Sequence, residues 1–131
     1  MKWISDKKAT YILVAILSLV IVFHMLILLG LVPFEIVWGG RLKNASEMVI
    51  FELISIAINI AMLTVVCIHG GIIKTNVKHG LLKGFLWIMF FLFLLNTIGN
   101  IASNNIYEKM IFTPLTLLLA VLSLRLAVSK K

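Results

Sequence analysis

Glu52 is an acid set inside an apolar run, Met48-Val49-Ile50-Phe51-Glu52-Leu53-Ile54, that is otherwise fit to cross a membrane. A carboxylate at that depth costs about 2.5–3.5 kcal/mol on insertion scales. It is tolerated only where it meets a partner, a cavity or a ligand. The candidate site is therefore built outward from Glu52. At helical spacing Glu52, Ser55 and Asn59 fall at i, i+3 and i+7, on one stripe of a helix. Asn96, Asn100 and Ser103 fall at i, i+4 and i+7 on another. His24 is the one ionisable residue inside the first apolar run, and Thr113 and Thr116 lie on one side of the last. A His–Glu pair can exchange a proton, and asparagine amides and hydroxyls can orient a polar ligand group.

Those residues need helices to carry them. The chain has 131 residues, 62% of them hydrophobic. A water-soluble surface cannot be made from that composition, so lipid must serve as solvent. Four apolar runs near the roughly 20 residues needed to span a bilayer cover residues 9–32, 48–69, 84–104 and 110–128. The fold expected is all-α, an integral membrane bundle of four transmembrane helices forming a single transmembrane domain over 1–131. At about 1.5 Å per residue, Glu52, Asn96 and His24 fall in one layer, roughly 6–12 Å below one boundary, with Asn59 nearer the midplane. The opposite half lacks charge over 10–20, 60–68 and 84–95. That asymmetry favours a one-sided pocket over a continuous channel.

The net charge of +7 is no nucleic-acid signature, because the basic residues flank the spans as topology signals do. Nine of the twelve (Lys2, Lys7, Lys8, Lys74, Lys78, Lys83, Arg125, Lys130, Lys131) fall on one side and three (Arg41, Lys43, Lys109) on the other. The positive-inside rule then places both termini in the cytoplasm, and the polar layer in the outer half. Small size, absence of a targeting signal and Lys/Ile-rich composition suggest a bacterial cytoplasmic membrane. The first run is too long for a cleavable signal and is expected to stay as an anchor.

Between the first two spans lies Pro33-Phe34-Glu35-Ile36-Val37-Trp38-Gly39-Gly40-Arg41. It is too apolar for a solvated loop and too glycine-rich for a stable helix. An interfacial or re-entrant loop is expected, with Trp38 at headgroup level and Arg41 able to grip a carboxylate or phosphate. Asn44, or Ser46 with Glu47, is expected to cap the second helix, Gly70-Gly71 to end it, and Pro114 to lie in the first turn of the fourth. Cys67 is alone, so no intrachain disulfide forms. No metal or cofactor is expected, and no nucleophile elbow, zinc-protease or phosphate-loop motif is present.

The best reading is a pocket for a small or lipid-like molecule, formed by Glu52, Asn59, Asn96, Asn100 and His24 and guarded by Arg41 and Trp38. Membrane lipids are the expected surroundings and further copies of the chain a compatible partner. Three other classes fit the same residues. One is an intramembrane enzyme acting on a lipid or isoprenoid through His24 and Glu52. Another is an ion or proton pathway built from several copies. The third is an accessory subunit whose polar faces meet another membrane protein. In size and four-span layout the chain is similar to the EXPERA group of sterol isomerases and sterol-binding proteins. That similarity is architectural alone; no motif aligns, and no residue role is carried over.

Overall fold

The computed structural model describes residues 3–32 and 44–130. The loop carrying Glu35, Trp38 and Arg41 lies outside the described residues. Within them the chain forms four helices and no strand: α1 (Asp6–Leu28), α2 (Ala45–His69), α3 (His79–Ile101) and α4 (Thr113–Ala127), the last entered through a π-helical turn, Glu108–Phe112. Each span is long and apolar enough to cross a membrane, and only 22–33% of each is buried inside the protein. The remaining apolar surface far exceeds what water tolerates, so the protein is an integral membrane protein.

Local chemistry sets the helix ends. Ser5 caps α1 by accepting from the backbone N–H of Lys8, and Asp6 stands in the first turn, where the helix dipole favours an acid. The helix therefore begins three residues before the apolar run does. It also stops at Leu28 rather than reaching Val32. Gly30 takes φ +81°, and Leu31 N–H closes back on Leu26 C=O, a glycine termination that precedes Pro33. Asn44 caps α2 through the N–H of Glu47 at 3.0 Å. The same glycine ending recurs after α2, with Gly71 at φ +80° and Ile72 N–H bonded to Cys67 C=O. α3 begins at His79 instead of 84, taking Lys83 and both flanking glycines into its first turns. Pro114 sits in the first turn of α4 as expected. Pro114 lacks the N–H that an α-helical ladder would direct to Met110, and the π-helical turn stands immediately before it.

The bundle consists of two close hairpins, α1–α2 and α3–α4, joined mainly through α1 and α4, with α2 and α3 touching less. Leu13, Leu17, Val66, Leu86, Leu119 and Leu122 form its central core. Inside a membrane this packing gains dispersion and shape complementarity rather than escape from water.

Both termini lie at one end. Arg125 reaches back to α1, with its guanidinium 2.6 Å from Asp6 and its Nε–H donating to Ile4 C=O at 2.8 Å. At the same end His69 lies 3.4 Å from the Ser129 hydroxyl, and its ring meets the ring of His79 edge-on. Lys7, Lys8, Lys74, Lys78 and Lys130 are exposed there. Gly70 also packs against α1 at this end, where a Cβ would lie 2.5 Å from Thr10 Cγ2. Gly70→Ala should therefore lower stability by about 1–3 kcal/mol. Thr10→Ser removes the clashing methyl and should restore part of the loss. Thermal unfolding of the three proteins in detergent checks this, and an unchanged midpoint for Gly70→Ala would refute the close approach.

Candidate functional site

Glu52 is fully buried, and it meets His24: the carboxylate Oε2 lies 2.5 Å from imidazole Nδ1, joining α2 to α1. Helical spacing places Glu52 about 10 Å inside the start of α2 and His24 about 6 Å inside the end of α1. Both fall in the layer inferred from sequence. One proton shared between the two bases leaves the pair neutral as a unit, whether an imidazolium donates to a carboxylate or a carboxylic acid donates to Nδ1. Neutrality is what an apolar setting demands of a buried ionisable pair.

One turn toward the end of the bundle opposite the termini, Ile27 and Met48 are buried and packed by Phe23, Leu28, Val32 and Phe112. The Phe23 ring lies edge-on to His24 and 5.2 Å from the ring of Phe112, which the π-helical turn supplies. An apolar lid thus lies beside the pair, made jointly by three helical segments. π-helical turns recur at functional sites, and this one delivers a ring to the lid.

The carboxylate orients His24 through Nδ1, as a carboxylate does in catalytic and metal-bound histidines. His24 Nε2 has no hydrogen-bond partner among the described residues, and the side chain keeps 16% of its surface accessible. Nε2 is therefore the reachable polar atom of the pair. Among the described residues no group of three metal-ligating side chains occurs.

Toward the midplane, Ser55 and Asn59 continue the Glu52 stripe and are both buried. Asn59 Nδ2–H donates to Ser55 C=O at 2.7 Å, so half of its amide is spent on its own helix. The expected stripe exists, and its deepest member is partly satisfied locally.

The α3–α4 hairpin carries a second polar cluster. Asn100 Nδ2–H donates to Thr116 Oγ1 at 3.2 Å, and Thr97 Oγ1 lies 3.0 Å from the same atom. The Thr116 hydroxyl donates to Phe112 C=O at 2.8 Å, tying this cluster to the lid. Asn96 is not brought into either cluster. It is exposed, and Thr97 faces inward instead. The reason is helical phase: Leu82, Leu86, Met89, Phe93 and Thr97 are the buried face of α3, and Asn96 falls beside it. Thr97 shares that phase with the apolar core, a signal the asparagine spacing overshadowed. Trp38 and Arg41 lie outside the described residues, so the structure says nothing of the mouth they were expected to guard.

Four apolar spans, two polar clusters and a buried His–Glu pair define a small four-helix integral membrane protein. No family model, no curated protein and no solved structure matches the chain.

Removing His24 takes a charge-assisted hydrogen bond from the buried Glu52 carboxylate, typically at a cost of about 1.5–3 kcal/mol. His24→Leu should thus destabilise the protein strongly. Glu52→Gln keeps a hydrogen-bonding group opposite Nδ1 and should cost about 1 kcal/mol. Glu52→Leu in the His24→Leu background should recover much of the loss. A double-mutant cycle on unfolding midpoints tests the coupling; strict additivity would mean that the contact carries no energy.

Proposed function

We propose that the layer around Glu52 and His24 binds a small or lipid-like molecule from the outer half of the bilayer. The observation that carries this reading is a buried carboxylate that presents one imidazole, whose Nε2 remains reachable. Such an arrangement costs stability in an apolar bundle, and intramembrane ionisable residues mark sites by default. The Thr113 hydroxyl adds to it: Oγ1 is buried without a partner among the described residues. Thr64, Thr97, Thr116 and Ser123 all bond to the carbonyl four residues back. Thr113 directly follows Phe112, whose ring reaches the neighbour of His24. A ligand with one polar group could satisfy Nε2 and place its apolar part against the core.

A second reading shares the same atoms. A histidine held through Nδ1 by a carboxylate is an acid–base pair, and in either neutral form its Nε2 carries a proton that it can give as a general acid, which supports an intramembrane acid–base enzyme. The cluster of lysines at the opposite end supports that end as cytoplasmic by the positive-inside rule, and composition supports a bacterial cytoplasmic membrane.

Native mass spectrometry with lipid extraction on gently purified protein separates the readings. A bound molecule in the wild type, at least about ten-fold depleted in Glu52→Gln (a loss of about 1.4 kcal/mol), is the expected result. A molecule that wild type converts, and that Glu52→Gln binds unchanged, would establish the enzyme instead. A defined oligomer with nothing bound would overturn both, leaving an ion pathway or an accessory subunit.

A further inference from the structure

If the layer around Glu52 and His24 is a ligand site, the reading on which this inference rests, its own protons decide which ligands fit. Glu52 is fully buried, so a ligand cannot touch its carboxylate. His24 keeps 16% of its side-chain surface accessible, and its Nδ1 is already held by Glu52. The two ring nitrogens diverge, so Nε2 points away from Glu52. Unlike the Thr10 hydroxyl at the other end of the bundle, it is not sealed from its surroundings.

An apolar setting holds the pair neutral as a unit. A neutral unit has two forms. In one an imidazolium donates to a carboxylate; in the other a carboxylic acid donates to Nδ1. Nε2 carries a proton in both. The one reachable polar atom of the pair is therefore a donor, and what meets it must accept. Its neighbours are apolar: the Phe23 ring lies edge-on to His24, and the Phe112 ring packs against Phe23.

These conditions sort the candidate polar groups. An ammonium has no lone pair for Nε2–H. A carboxylate would accept, but would bring net charge into an apolar layer. An alcohol would accept and leave its own O–H unmatched, which costs a hydrogen bond. A carbonyl that carries no N–H or O–H is matched completely.

We infer that the ligand of this layer is a neutral carbonyl compound without hydrogen-bond donors. His24 Nε2–H donates to its carbonyl oxygen, and its apolar body lies against the aromatic rings and lipid. Two sources bring that group into a membrane: the ester of a lipid and the ring carbonyl of a quinone.

The test is native mass spectrometry of detergent-purified protein with probes of one chain length: a long-chain methyl ketone and the corresponding alcohol, amine and carboxylic acid. The ketone should bind about five-fold tighter than the alcohol, the worth of one hydrogen bond. The amine and the acid should bind more weakly still. Infrared spectra of the ketone with an isotope-labelled carbonyl give a second readout, and the bound carbonyl stretch should move to lower frequency. In Glu52→Gln the amide can meet Nδ1 as donor or as acceptor, so Nε2 is no longer fixed as a donor. The ketone preference should disappear in that variant, and the infrared shift should shrink. A diester phospholipid beside its diether analogue, and a prenylated quinone beside both, tell the two sources apart. Equal binding of ketone and alcohol would mean that a second group, such as Ser55, takes the alcohol's proton; it would overturn the carbonyl inference and leave the pocket standing. A ketone preference kept in full by Glu52→Gln would also overturn it. Failure of every probe to bind would overturn the pocket itself, and the inference with it.

Discussion

A carboxylate with no access to solvent, inside a bundle with lipid for solvent, must be neutralised by something fixed in place. Glu52 meets His24 in this way, and much of that end of the bundle follows from it. The pair locks α1 to α2 at one height. Apolar packing alone discriminates poorly between neighbouring registers, because in lipid one leucine contact is worth much the same as the next. A polar contact that is lost on a one-turn slip supplies the missing discrimination, as buried polar residues do in coiled coils.

The other end of the same hairpin is pinned by shape. Gly70 admits Thr10 so closely that no larger residue fits without a shift. Arg125 then carries the constraint to α4 by holding both Asp6 and the Ile4 carbonyl. The two hairpins therefore join at the basic end through charge and at the opposite end through aromatic rings, Phe23 against Phe112. Near that same end, hydrogen-bonded Thr97, Asn100 and Thr116 hold α3 against α4. Most of these buried polar groups join two helices or bond their own backbone, as expected where water is absent.

The exceptions are informative. Thr10 and Thr113 both have a buried hydroxyl that skips the local bond made by Thr64, Thr97, Thr116 and Ser123. They stand at opposite ends, Thr10 packed against Gly70 and Thr113 next to the Phe112 whose ring meets Phe23. Unsatisfied polar atoms are rare enough in folded proteins that each calls for an explanation.

The helix count, the approximate spans, the caps at Asn44 and Gly70 and the depth of Glu52 were legible in the sequence, because length, composition and local capping chemistry decide them. The clustering of basic residues at one end was legible for the same reason. Which residue of a polar pair turns inward was not. Asn96 looked the stronger candidate by chemistry, and Thr97 took the buried position because packing against α4 sets the rotation of α3. Nor did sequence decide that His24, among the groups at its depth, would meet Glu52. Contacts such as Asp6 with Arg125, or Thr10 with Gly70, join residues far apart in the chain. They depend on how four apolar surfaces settle against one another, and only the tertiary structure fixes that arrangement.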